Sequence, residues 1–197
     1  MYHYLLLDTR LYNSLFALDL LIAEQTKQSK CLFCGGVLHQ SHFPRKPRGI
    51  PAAGLHCDYP IRFSYCCSQE GCRKRLTPPS MRFLSRKVYS SVIIFLIFLF
   101  KASTDESKVD ELNKFFNTTL SVETLRRWRD FWKNTVAQSH TFKRQGFNCF
   151  IAPNLPSSLL SLFAGPLSQQ LEMSLRWILP LTRGVNLFDT PFMMKGT

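Results

Sequence analysis

Two pairs of cysteines carry the most specific chemistry in the sequence. Cys31-Leu32-Phe33-Cys34-Gly35-Gly36 spaces two thiols by two residues and follows them with glycines, the arrangement in which backbone amides curl around two thiolates holding one metal ion. Cys67-Ser68-Gln69-Glu70-Gly71-Cys72 is a looser partner, and Gly71 is expected to allow the tight turn that brings both of its sulfurs inward. Cys66 competes with Cys67, and strand alternation decides between them. Phe63, Tyr65 and Cys67 share one face, while Cys66 points with Arg62 and Ser64 to the other. Cys57, His39, His42 and His56 are also chemically able to bind zinc, and each stays open as a replacement for one ligand. Four thiolates leave no position for water, so the expected cofactor is a structural Zn2+ rather than a hydrolytic one; reduced, metal-free thiols are the alternative.

A second set of residues is suited to anions. Residues 31–90 hold ten basic and two acidic side chains, the largest local surplus in a chain of net charge +12, and they include six of the seven cysteines. Arg45, Lys46 and Arg48 lie in the proline-stiffened loop Phe43-Pro44-Arg45-Lys46-Pro47-Arg48-Gly49-Ile50-Pro51, Arg73, Lys74 and Arg75 follow Cys72, and Arg82, Arg86 and Lys87 come next. Such loops suit phosphates or a narrow minor groove. Further on, Ser121 is a good N-cap for a helix whose inner stripe is Val122, Leu125, Trp128, Trp132 and Val136. Its outer arc carries Glu123, Arg126, Arg127, Asp130 and Lys133. Arg126 and Arg127, with Arg129 beside them, can reach guanine edges or phosphates, or pair with Glu123 and Asp130 in solvent.

The elements that must position these residues read as an α+β fold: a small zinc ribbon of short β-hairpins followed by a mainly α-helical helix-turn-helix domain with flanking helices. The expected organisation is an N-terminal amphipathic helix in 1–30, the ribbon with its basic loop in 31–79, the helix-turn-helix region in 80–140, and C-terminal helices and a tail in 141–197. Leu11, Leu15, Leu18, Leu21 and Ile22 place the first helix over 10–26. Thr77-Pro78-Pro79-Ser80 ends the ribbon. Helices are expected at 80–100, 107–116 and 121–138, with Val109, Leu112, Phe115 and Phe116 facing the core. Thr119 stands where the intervening turn usually carries glycine. Leu155-Pro156-Ser157-Ser158 starts a further helix, and Gly165-Pro166 separates it from one ending near Leu179.

Composition bounds the rest. With 45% apolar and 13% aromatic residues the chain is expected to fold rather than stay disordered. The apolar run from Val92 to Phe100 is short of the ~20 residues a spanning helix needs, so it reads as a buried core helix rather than a membrane segment. Met1-Tyr2-His3-Tyr4 has no secretory signal character, and clustered thiols suit a reducing compartment, so the expected location is cytoplasmic. A nuclease or transposase of the three-carboxylate type needs converging acids, yet only Glu172 and Asp189 follow residue 145. His140 and Cys149 lack an orienting acid or oxyanion signature, and no enzyme activity is expected.

Taken together, Cys31-x2-Cys34-Gly-Gly, Phe-Pro-Arg-Lys-Pro-Arg-Gly, the Cys-Cys-x4-Cys72-Arg-Lys-Arg-Leu-Thr-Pro-Pro-Ser run and Thr124-Leu125-Arg-Arg-Trp-Arg resemble a bacterial family of zinc-ribbon plus helix-turn-helix proteins. That family is similar in layout to insertion-sequence transposase N-terminal regions and transposition accessory proteins. The resemblance covers most of residues 5–182. It implies Cys31, Cys34, Cys67 and Cys72 as zinc ligands and Arg126, Arg127 and Arg129 near double-stranded DNA. The expected function is DNA binding by a transposition accessory or regulator. Its partners would be a transposase or a second copy docked through Leu159, Leu160, Leu162, Phe163, Leu171, Leu175, Trp177 and Ile178. Packing of those side chains onto the body of the protein is the competing expectation. A protein-interaction adaptor and a peripheral membrane protein are the other two functional readings.

Overall fold

The computed structural model describes residues 4–84, 87–99, 106–136 and 155–182. Helices α1 (Tyr4–Leu7) and α2 (Thr9–Gln28) open the chain. The carboxylate of Asp8 caps α2 by accepting the amides of Arg10 and Leu11, satisfying donors that a helix start leaves unpaired. The inner face of α2 is Leu11, Tyr12, Leu15, Phe16, Asp19 and Ala23. Leu21, expected inside, is exposed. The stripe is rotated because it includes a carboxylate, which hydropathy alone places outside.

Five short strands follow: β1 (Leu38–Gln40), β2 (Phe43–Pro44), β3 (Ile61–Arg62), β4 (Tyr65–Cys67) and β5 (Arg75–Leu76). β4 lies between β1 and β5 in an antiparallel sheet, and β2 pairs with β3 in a second. Leu38 sits opposite Cys67 and Tyr65 opposite Leu76, so the sheet's buried face is continuous with the cysteines. The fold is thus mixed α+β, as the residue patterns predict.

The expected helix over 80–100 is only half present: α3 is Ser91–Leu99, and the described part of 80–90 is irregular. The reason lies in α2. Asp19 accepts hydrogen bonds from the Ser80 hydroxyl and the Met81 amide and from Arg82 Nε at 2.8 Å. Arg82 also donates to the carbonyls of Tyr59 and Ile61, and its guanidinium lies among the rings of Phe16, Tyr59, Phe63 and Phe83. Asp19 and Arg82 are essentially inaccessible to water. A buried ion pair is tolerable only when its remaining donors and acceptors are satisfied, and these contacts satisfy them at the expense of helical bonding.

α3 is the centre of the core: from Val92 to Ile97 no side chain reaches solvent. Apolar on every side, it behaves as a fully enclosed helix, and among the described residues no helix is long and apolar enough to cross a membrane. Helices α4 (Glu106–Phe116) and α5 (Val122–Asp130) come next, α5 running into a widened helical turn at Phe131–Val136. Leu125, Trp128, Trp132 and Val136 are buried as expected, whereas Phe115 is only partly covered, at 38% exposure. Trp128 meets Tyr89 edge-on, and Trp132 meets Phe95 and Phe98 of α3.

Strain in the turn between α4 and α5 does not fall on Thr119. The left-handed residue is Asn117 at φ 48°, a residue type that tolerates this region after a helix end. Asn113 ties the turn together, its Oδ1 accepting from Leu120 N and Thr118 Oγ1 and its Nδ2 donating to the Leu120 carbonyl.

Finally α6 (Leu155–Ser161) packs against α3, and α7 (Leu167–Ile178) against α2 and α6. Leu159, Leu160, Leu171, Leu175 and Ile178 are buried in that packing, and Ser14 Oγ donates to Glu172 at 2.8 Å. The expected positions His140, Cys149 and Arg86, the end of the 121–138 helix and the tail beyond 182 lie outside the described residues.

Candidate metal centre

Each cysteine pair sits in a tight turn beside the three-stranded sheet. In the first, Gly35 N donates to the Cys31 carbonyl at 2.8 Å and Cys31 N to that of Gly36 at 2.9 Å. Gly35 adopts φ 72°, a conformation in which a side chain is costly. At Gly36 an added Cβ would lie 2.7 Å from Gln69 Cγ and 3.0 Å from Cys67 Sγ, so this glycine is required by the approach of the second pair. In the second turn the amides of Cys72 and Arg73 both donate to the Gln69 carbonyl. Here the left-handed residue is Arg73, at φ 44°, one position after the second cysteine as Gly35 is in the first turn. Gly71, expected to make the turn, has open space where a side chain would be and no left-handed angle.

The two turns bring Cys31, Cys34, Cys67 and Cys72 together, with all four sulfurs within 4.8 Å of one another. Cys31 Sγ lies 3.7 Å from Cys72 Sγ, and Cys34 Sγ 3.4 Å from Cys67 Sγ. These separations far exceed a disulfide's ~2.05 Å. They match the edges of a tetrahedron with metal–sulfur bonds of about 2.3 Å, for which sulfur–sulfur distances are roughly 3.8 Å. The donor set is therefore compatible with one metal ion.

Backbone amides surround the sulfurs. Phe33 and Cys34 donate towards Cys31, Gly36 towards Cys34, Gln69 towards Cys67 and Lys74 towards Cys72. In all four cases the residue two beyond the cysteine contributes, the geometry that stabilises thiolates in a metal knuckle. The Phe33 amide in particular draws the Cys31 thiol down to about 7. The other three are held above the ordinary thiol value. At Cys67 burial is the main cause. At Cys34 and Cys72 the neighbouring sulfurs and burial together outweigh the pull of the Gly36 and Lys74 amides. Four crowded thiols resist losing four protons unless a cation takes their place.

The alternative ligands lie elsewhere. Cys66 faces away from the cluster, its thiol directed to the carbonyls of Cys67 and Arg73. His42 accepts the Ser64 amide and packs edge-on against Phe63 and Tyr65. His39 is exposed on β1. His56, Cys57 and Asp58 form a second group close enough to share a cation. All three are exposed, however, and His56 Nδ1 already accepts the Asp58 amide at 3.1 Å.

The cations divide into tethered and free-standing ones. Arg45 donates to the Lys87 carbonyl at 2.7 Å and lies over the Phe83 ring, and burial lowers its pKa. The loop itself is clamped. Arg48 N donates to Val88 O, Ser90 N to Arg48 O, and Gly49 lies so near α3 that a Cβ there would strike Ile93 Cδ1 at 2.3 Å. Lys46 and Arg48 remain exposed, Arg48 near the Tyr89 ring. Arg73, Lys74 and Arg75 are exposed: Arg73 lies 3.9 Å from Glu70, Lys74 over Phe33 and Arg75 beside Phe43. On α5, Arg126 and Arg127 share Glu123 at 4.0 and 3.2 Å, Lys133 is exposed and Arg129 is half-buried.

What the residue patterns missed is the buried charge. Besides Asp19 and Arg82, Arg62 is buried, donates to the Pro78 carbonyl and leaves Nη1 without a partner. Burial draws its guanidinium down to about 10. The only sequence signal was Asp19 at helical spacing from Leu11, Leu15 and Phe16. No protein-family model, curated protein or solved structure matches the chain.

Proposed function

We propose that this protein is a zinc-stabilised DNA-binding protein of mobile-element origin, acting as a transposition accessory or regulator in the cytoplasm. The observation that carries the reading is a cluster of four sulfurs within 4.8 Å of one another whose second turn is followed by the exposed Arg73, Lys74 and Arg75. Soft thiolates in a tetrahedron favour zinc. With all four positions taken by sulfur, the ion would crosslink the two turns and fix the cationic residues that follow Cys72. It would leave no position for a reacting water, which is why the reading is of a binder and not an enzyme.

Double-stranded DNA is the proposed ligand. α4, the Asn113-braced turn and α5 would serve as a helix-turn-helix, presenting Arg126, Arg127 and Lys133 while Leu125, Trp128 and Trp132 hold the helix on α3. Their shared carboxylate, Glu123, is itself exposed, so pairing with it is weak and readily exchanged for phosphate. Lys46, Arg48 and the cations after Cys72 would add contacts to the backbone. The membrane reading loses support because α3, on which it depends, is core. Docking through α6 and α7 loses support because most of their large apolar side chains are already buried.

Gel-shift titration on a duplex at several salt concentrations tests the reading. The expected result is salt-sensitive binding, with Arg126→Ala/Arg127→Ala lowering affinity and reducing the slope of log K against log salt by about 2. Undetectable binding at low salt contradicts it.

A further inference from the structure

The first cysteine turn does more than hold a metal: it carries apolar side chains into water. Leu32 is 54% exposed, Phe33 45% and Val37 59%. Scattered exposed apolar residues are ordinary, but three within six positions on a rigid turn form a patch. Rigidity follows from the two backbone hydrogen bonds between Cys31 and the glycines, and from the lack of room for a side chain at Gly36. With Cys31 and Cys34 turned towards the other sulfurs, Phe33 is fixed at the outer rim.

The surroundings of this patch are cationic. Lys74 Nζ stands 4.1 Å from the centre of the Phe33 ring, and Lys30 and Arg73 adjoin the two turns in sequence, against the single carboxylate of Glu70. Glu70 is engaged with Arg73. An occupant that suits a fixed aromatic ring and cations that outnumber the nearby carboxylates has a flat apolar face and regular negative charge. A nucleotide with an unpaired base has both, whereas a duplex keeps its base faces inside the stack.

We propose that the rim of the Cys31–Gly36 turn is a stacking platform for an unpaired nucleobase, Phe33 lying against the base while Lys74, Arg73 and Lys30 meet the adjoining phosphates. This rests on the nucleic-acid reading above and refines it: the ribbon takes single-stranded or frayed DNA, and α5 takes the duplex. Junctions between the two, as at the ends of a mobile segment, would engage both.

Fluorescence anisotropy on the full zinc-loaded chain tests the proposal, with labelled oligothymidylate and a duplex of equal length as probes and zinc content measured on every variant. Phe33→Ala is expected to weaken oligothymidylate binding by roughly ten- to a hundredfold with duplex binding unchanged, and Phe33→Trp to restore it. Unaltered oligothymidylate affinity in zinc-replete Phe33→Ala overturns the proposal, as does an equal loss on both probes. If the unmodified chain binds the duplex but not oligothymidylate, the platform fails and the duplex reading stands. If it binds neither, both fail together.

Discussion

At the scale of single residues, the two cysteine turns solve one geometric problem with different amino acids. Position +1 after the second cysteine is left-handed in both, occupied by Gly35 in one and Arg73 in the other. A left-handed side-chain-bearing residue costs about 1–2 kcal/mol, part of which glycine returns in unfolded-state entropy. Arg73→Gly is therefore expected to stabilise the zinc-bound chain by about 0.5–1 kcal/mol in denaturant titration, the exposed contact to Glu70 contributing little. Gly36 and Gly71 should respond in opposite ways. Gly36→Ala pushes a methyl against a ligand sulfur and is expected to cost about 1–3 kcal/mol and to weaken metal retention, whereas Gly71→Ala meets open space and should leave both unchanged.

Protonation belongs to the same scale. Metal binding must displace the protons of Cys34, Cys67 and Cys72, all held above the usual thiol value, so acid competes with the metal. Zinc affinity, measured against a chromogenic chelator, is expected to fall by at least tenfold between pH 8 and pH 7 and to keep falling below that. A pH-independent affinity would mean that the thiols are not the ligands.

Among the elements, the charge buried beneath the ribbon explains why the described residues between Ser80 and Ser90 are not helical. Asp19 on α2 draws in the Ser80 hydroxyl, the Met81 amide and Arg82, and α3 starts only once that network is complete. Arg82→Met strands a buried carboxylate and should destabilise the chain by about 3–5 kcal/mol in thermal or chemical unfolding. Arg62, with one nitrogen unpartnered, is a different case: Arg62→Met removes a buried cation that lacks a full set of partners and should change stability by no more than about 1 kcal/mol.

The same elements mark how far the sequence was legible. The cysteine spacing picked out the four sulfurs that the structure brings together, and alternation along β4 separated Cys67 from Cys66, because both rest on local geometry. The buried face of α5 was legible because Leu125, Trp128 and Trp132 repeat at helical spacing. Asp19, Arg62 and Arg82 were not, because each reads as a surface charge until its partner, 16 to 63 residues away, is known. The clamping of Arg45 and Gly49 onto 87–93 was hidden for the same reason.

For the whole molecule, one cluster of buried side chains runs from Leu5 and Leu15 through Tyr65 and Cys67 to α3, Trp132 and Ile178. The sulfur cluster is thus built into the edge of a core that also seats α5. Holding Cys31–Cys34 against Cys67–Cys72 fixes β1 to the β4–β5 hairpin, and through them the cationic residues on which nucleic-acid binding would depend. The most direct test is metal analysis of the untagged, purified chain, followed by chelation under native conditions. One zinc per chain is predicted, retained in Cys66→Ser, lost in Cys67→Ser, and removed by chelator with a lowered melting temperature. A folded chain that contains no metal and is indifferent to both chelator and added zinc would contradict the account.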